Sequence, residues 1–393
     1  MTFDFDHEID RRGTDCLKYD FAEERGYGAD VLPLWIADMD FQAPPCVRQA
    51  LAQAVAHGIF GYSDTKGDYA AAVRDWFAQH FDWRMEEKWI VKTPGVVFAL
   101  AMAVRASTRA GDAVMIQPPV YYPFYSVIRD NGREVVENEL VCENGRYRID
   151  FEDFERKITE RGVKLLILCS PHNPVGRVWT QEELRRMGEI CRRYGVRVVS
   201  DEIHCDFAFP EFPHTPFVKA NPAWAEQTIV CTAPSKSFNL AGLQVSNIII
   251  PGAEFRREFI REIRRTGYSQ LNQLGLLACR AAYRGGGPWL EEVKAYMRGN
   301  LEFLREFLAA RLPQVRLVEP EGTYFAWLDF SALGLSGQAL DDLIKRKARL
   351  WLDAGHVFGG ADSWKFQRLV LACPRATLER ALKRLEEAVA TPD

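Results

Sequence analysis

The chain has 393 residues, 47% hydrophobic and 26% charged, which is long enough for two domains of ordinary size and a substantial buried core. A net charge of -4 provides no field to attract nucleic acid or an anionic membrane, and basic clusters such as Arg261–Arg265 are interleaved with acids at helical spacing, as on a solvated face. The longest apolar runs are of strand length, far below the ~20 residues of a membrane-crossing helix, so no such span is expected.

The amino-terminal MTFDFDHEIDRRGTD is acidic and has no apolar signal core. The proline-rich LPLWIADMDFQAPP that follows at Leu32 is expected to pack on a second, smaller domain. Between about Lys88 and Pro251, short β-branched runs alternate with longer segments of helical period. The runs are WIVK (Trp89), AVMIQ (Ala113), REVVE (Arg133), KLLILC (Lys164), VRVVS (Val196), TIVC (Thr228) and SNIII (Ser246). Such alternation predicts an α/β domain with a mostly parallel seven-stranded sheet covered on both faces.

After the Gly285-Gly286-Gly287-Pro288 break the pattern predicts a long amphipathic helix, about Trp289 to Leu312. Strands are predicted at VRLV (Val315), YFAWLDF (Tyr324) and FQRLVLA (Phe366), then a last helix from about Arg375. The expected division is a large domain over 46–285 and a smaller α+β domain from 1–45 and 286–393. The nine cysteines form no Cys-x-x-Cys pair, which fits reduced thiols in a cytoplasmic protein and no metal site.

In an open parallel sheet, ligands bind beyond the carboxyl ends of the strands. There the sequence places Asn173 in SPHNPVG, Asp201 and His204 in SDEIH, and Ser235 and Lys236 in SKSFNLAGL. It also places Gly95, Val96 and Val97 of TPGVVFAL at a helix start. Singly, each has a plain reading: Lys236 as a solvated loop lysine, Asp201 as a turn cap, His204 as a core histidine. No Gly-x-Gly-x-x-Gly follows a strand, and there is no Walker loop or His-Glu-x-x-His.

In this order and spacing, SPHNPVG, SDEIH and SKSFNLAGL resemble the fold-type I pyridoxal-phosphate enzymes of the aspartate aminotransferase superfamily. With WIADMDF (Trp35), GYSDTKGDY (Gly61), TPGVVFAL (Thr93), PPVYYPF (Pro118) and ACPRATL (Ala372), the chain is similar to the MalY/PatB-type branch of cystathionine and cysteine-conjugate β-lyases. The resemblance implies pyridoxal 5'-phosphate as cofactor. Lys236 would join its aldehyde, which needs an amine that can shed its proton. Asp201 would hold the ring-nitrogen proton. Asn173 would donate to the phenolic oxygen, and Tyr121 would stack on the ring. Gly95, Val96, Val97 and Ser235 would hold the phosphate, with Tyr62 of a neighbouring subunit, which implies a homodimer.

His204 stands where many aminotransferases have tyrosine, as in the lyase branch. Gln244 stands where they commonly carry a phosphate-binding arginine, and Val370 replaces the family's usual asparagine. Tyr122 would face the substrate as a catalytic neighbour of Tyr121, although the pair also reads as ordinary core aromatics. Arg375, with the backbone at Ala37, would bind the α-carboxylate; its plain reading is a first-turn arginine in a surface ion pair. The activity implied is β-elimination from a thioether amino acid to thiol, pyruvate and ammonia. The alternatives are an aminotransferase and a cofactor-binding regulator that acts by contact with a transcription factor.

Overall fold

The structure, a computed structural model, describes residues 2–390. Each of the seven β-branched runs of the first part forms a strand: β1 Ile90–Thr93, β2 Ala113–Ile116, β3 Glu134–Glu137, β4 Leu165–Cys169, β5 Arg197–Asp201, β6 Thr228–Thr232 and β7 Ser246–Ile249. They make one sheet in the order β1-β7-β6-β5-β4-β2-β3, in which only β7 runs antiparallel to its neighbours. Every residue of β2, β4 and β6 is buried, as expected for strands covered on both faces.

One cover includes helices Val96–Ser107 and Ala253–Arg265, whose apolar stripes meet Ile167, Val199, Ile229 and Ile248. The other includes Phe151–Arg161 and Gln181–Tyr194, packed on Leu166, Leu168 and Val198. Local chemistry fixes where these helices begin. Thr180 and Glu183 form a reciprocal capping box, and the Asp150 carboxylate accepts from the amides of Glu152 and Asp153.

After the glycine break, helix Gly287–Arg311 leads to β8 Arg316–Val318, β9 Phe325–Asp329, β10 Asp353–Ala354 and β11 Phe366–Val370, an antiparallel sheet in the order β8-β9-β11-β10. The terminal helix Arg375–Ala390 covers it. The proline-rich amino-terminal segment joins this part: Leu32–Pro33 pairs in parallel with Leu350–Trp351, and Leu34 accepts from the amide of Val370. We propose the division at 46–285 against 1–45 with 286–393 on this ground, that each part has its own sheet. Among the described residues no helix is long and apolar enough to cross a membrane.

The amino-terminal segment is fixed by charge as well as by apolar contact. Lys18 is fully buried, its ammonium 2.8 Å from Asp40 and 3.7 Å from Asp38, and Arg11 holds both carboxylates at 2.6 and 2.8 Å. This quartet sets the backbone of Ala37–Asp40. The side-chain amide of Asn239, just past Lys236, donates to the carbonyls of Met39 and Phe41 and ties that segment to the end of the large sheet.

Candidate active site

Five strand ends converge on one cleft of about 260 Å³. β4 delivers Cys169 and, past Pro171, Asn173; β5 delivers Asp201, then Ile203 and His204; β6 delivers Ser235 and Lys236 on the short helical turn Pro234–Ser237. β2 leads to Tyr121, and β1 to Gly95 and the start of helix Val96–Ser107. Ala37 closes the cleft from the amino-terminal segment. The sequence-based set Gly95, Val96, Val97, Tyr121, Asn173, Asp201, His204, Ser235, Lys236 and Ala37 is therefore brought together.

The Lys236 ammonium donates to the Ala37 carbonyl at 2.7 Å. Enclosure in the cleft pushes its pKa down to about 8; Asp38 opposes this, the nearby Arg368 guanidinium reinforces it, and Asp201 opposes it. A lysine so placed gives up its proton near neutrality. Asp201 is shifted the other way, up to about 7, because burial outweighs the one backbone hydrogen bond its carboxylate accepts, from Ile203 at 3.2 Å, and the pull of Lys236. A buried carboxylate with so little compensation calls for a cationic partner.

His204 is buried with its ring centre 5.6 Å from that of Tyr324 and 5.1 Å from that of Phe325, both edge-on, and its Nδ1 has no partner. Burial, together with the nearby Lys236 and Arg368 charges, holds it neutral.

At the other end of the cleft, Gly95 adopts φ +114, which a residue with a side chain rarely reaches, and turns the chain from strand into helix. Its amide donates to the Ser246 hydroxyl at 3.2 Å, and that hydroxyl also contacts Thr93 Oγ1 at 2.7 Å. The amides of Val96 and Val97 lie in the first turn, where no carbonyl precedes them, and are the donors a helix start offers an anion. Gln244 lines this end with Ser235. The position thus carries a neutral amide where the resemblance led us to look for a guanidinium.

Residues 29–385 match the model for aminotransferase class I and II. The chain belongs to that family. It is 43% identical over 385 residues to cystathionine beta-lyase PatB of Bacillus subtilis, covering 98% of this chain and 99% of that one. Protein MalY of Escherichia coli is 35% identical, covering 98% and 99%. Among solved structures, cystalysin from Treponema denticola, which contains a pyridoxal 5'-phosphate cofactor, superposes with a TM-score of 0.95 at 35% identity over 99% of both chains.

Within this family fold two expected placements change. Arg375 is not in the cleft. As the first residue of the terminal helix it turns onto helix Gly287–Arg311: its Nε donates to Asn300 Oδ1 at 2.7 Å, its amide donates to the Tyr296 hydroxyl at 2.7 Å, and its guanidinium lies 4.6 Å from the Phe303 ring centre. The guanidinium that reaches the site is that of Arg368 on β11. It is buried, donates to Asn173 Oδ1 at 2.8 Å and to the Trp35 carbonyl at 2.7 Å, and pairs with Asp353. A visible signal existed: a charged residue in the middle of the apolar strand run FQRLVLA must be paired or functional. Tyr324, whose hydroxyl donates to the Ala37 carbonyl at 3.1 Å, is a second residue that the sequence reading missed.

Tyr122 does not line the cleft; it is 38% exposed and faces the adjoining cavity with Trp35 and Asp353. Tyr62 is fully exposed and outside its own chain's cleft.

The shift of Asp201 predicts a pH signature for the cofactor-free protein. Native Asp201 keeps a proton up to about pH 7, whereas the unfolded chain releases it near pH 4, so its contribution to stability falls as pH rises between those values and is level above them. Asp201→Asn removes this dependence. Urea unfolding of both proteins at pH 5 and pH 8 should show the variant's advantage larger at pH 8; the same difference at both would mean that Asp201 titrates like an ordinary surface carboxylate.

Proposed function

We propose that this chain is a pyridoxal-phosphate-dependent carbon–sulfur β-lyase that acts on thioether amino acids. The observation that carries the reading is Lys236, a lysine with a pKa near 8, sharing one cleft with a buried and uncompensated Asp201. The residues present fit the cofactor. Asp201 would meet the ring-nitrogen proton, and Tyr121 would cover the ring. Asn173 has its carbonyl oxygen occupied by Arg368, which leaves its N–H donors for the phenolic oxygen. Ser235, Gln244 and the amides of Val96 and Val97 would hold the phosphate.

When bound, the cofactor supplies an electron sink that makes the Cα–H of an amino acid acidic. Arg368 orients the amino acid by its α-carboxylate, since a planar guanidinium offers paired, charge-assisted hydrogen bonds. Lys236, as free amine, takes the Cα proton. A neutral His204 and the apolar faces of Tyr324 and Phe325 keep water from competing for it. Loss of the thiolate from Cβ then completes elimination, with pyruvate and ammonia as the hydrolysed products.

The same reading gives a homodimer. Val55, Ile59, Phe60 and Tyr62 are 57, 65, 60 and 100% exposed, a run of apolar side chains around the segment that would reach a second copy. It also gives a cytoplasmic protein, in keeping with nine cysteines that are all unpaired.

Arg368→Lys should reduce kcat/KM by about 100-fold even though charge is kept, because an ammonium cannot present the planar fork, whereas Arg375→Lys should change it by less than about 3-fold. The reverse ranking in steady-state assays would return the carboxylate to Arg375.

With L-cystathionine and no keto-acid acceptor, pyruvate formation should exceed conversion of the cofactor to its pyridoxamine form by at least ~100-fold, or ~2.7 kcal/mol between the competing barriers. Accumulation of pyridoxamine phosphate that a keto acid turns over, with little pyruvate, would make the protein an aminotransferase.

Inactive Lys236→Ala and Tyr62→Ala chains should regain activity when mixed, because one site of each hybrid dimer carries neither change. A fully active monomer in sedimentation velocity would remove the shared site.

A further inference from the structure

Asp206 is a buried carboxylate that the reaction above does not use. It lies two residues past His204, on the short turn Cys205–Phe207 that follows β5. Its Oδ1 accepts from the indole N–H of Trp76 at 3.0 Å, and its Oδ2 accepts from the hydroxyl of Ser237. Both donors are neutral. Burial raises the Asp206 pKa, and the hydrogen bonds from Ser237 and Trp76, followed by the charges of His80 and Lys294, oppose that rise. A buried carboxylate held by neutral donors adds little to stability, because they repay only part of its desolvation. Its place in the fold has another reason.

The reason is what it joins. Ser237 is fully buried and directly follows Lys236 on the turn Pro234–Ser237. Trp76, on helix Gly67–Phe81, is a fixed anchor: its ring stacks on His80 with centres 3.8 Å apart and meets Phe238 edge-on at 5.4 Å. The one carboxylate thus ties the segment after β5, which carries Asp201 and His204, to the turn after β6, which carries Lys236. Asn239 holds the same chain segment against the carbonyls of Met39 and Phe41.

Asp206, Ser237 and Trp76 lie outside the lining of the cleft, and the charges that shift Lys236 are those of Asp38, Arg368 and Asp201. Asp206 therefore acts through the turn and not through its field.

We propose that Asp206 is a positioning residue: through the Ser237 hydroxyl it fixes the Lys236 turn against the Asp201 segment, so that amine and carboxylate can reach one cofactor together. The proposal deepens the pyridoxal-phosphate reading of the site on which it rests, and it holds whether elimination or transamination follows.

The test uses Asp206→Ala, Asp206→Asn, Ser237→Ala and the double alanine variant, all cofactor-free. The pH profile of Lys236 acetylation, read by mass spectrometry of its peptide, gives the point at which that amine loses its proton, whatever its accessibility. The wild-type midpoint should lie near pH 8. In the alanine variants it should move toward the ordinary lysine value, so that the free amine at pH 7 falls by about 10-fold. Asp206→Asn should keep the wild-type midpoint, because an amide still accepts from Trp76 and can donate to a Ser237 hydroxyl turned to accept. The double variant should lose no more than the larger single loss, as for two residues acting as one unit. Ser237→Ala removes a single oxygen and decides the question even if Asp206→Ala fails to fold. An unchanged midpoint in Ser237→Ala, a midpoint in Asp206→Asn that moves as far as in the alanine variants, or losses that add in the double variant would overturn the positioning role. Borohydride reduction of the wild type after addition of pyridoxal phosphate should trap the adduct on Lys236. Its absence would overturn the cofactor reading and leave the acetylation result standing.

Discussion

The hydrogen bond from Lys236 to the carbonyl of Ala37 joins the end of the large sheet to the amino-terminal segment, and the rest of the site is arranged around it. An amine that must lose its proton near neutral pH cannot sit in water, where its pKa is above 10. It must be enclosed, and the large sheet alone encloses it on one side only. The second side is Ala37, held by Arg11, Lys18, Asp38 and Asp40, with Tyr324 from β9 donating to the same carbonyl. The small sheet and the amino-terminal segment therefore set the chemistry of a residue that belongs to the large one.

That arrangement buries charge. Ion pairs removed from water add little net stability, since desolvation cancels most of the attraction, but removing one member strands its partner. Lys18 with Asp40 and Arg368 with Asp353 are best understood as devices for geometry. The folding free energy comes from elsewhere: from Phe5 edge-on to Phe41 and Trp289, and from the leucine-rich interior between the terminal helix and the small sheet. Apolar contact brings the segment to its place, and the ion pairs fix its register.

Much of this was legible in sequence because strand ends are legible. The runs KLLILC, VRVVS and TIVC end within a few residues of Asn173, Asp201 and Lys236, and a parallel sheet must bring such ends to one edge. The proposed partner of the substrate carboxylate was harder to read. Arg368 and Arg375 stand seven residues apart, one in the middle of a strand and the other at the start of a helix, and only the strand's pleat and the helix's rotation decide which guanidinium turns inward. The burial of β11, with Arg368 itself only 2% exposed, was the deciding fact, and it depends on β9 and β10 lying on either side. Tyr122 was hard to place for a similar reason: it already has helical backbone angles ahead of Pro123, and that turn carries its side chain to the adjoining cavity while Tyr121 lines the cleft.

Arg368 also joins parts of the structure that lie on different elements. Its guanidinium contacts Asn173, which would tune the cofactor's phenolic oxygen, and the carbonyl of Trp35, whose ring lines the adjoining cavity. A carboxylate that engages Arg368 must share it with Asp353, weakening that pair and altering the pull on both Asn173 and Trp35. Groups that share one donor are not energetically independent. A residue that donates at once to Asn173, to the Trp35 carbonyl and to Asp353 must be planar, permanently charged and multiply donating, and among the side chains only arginine combines these properties.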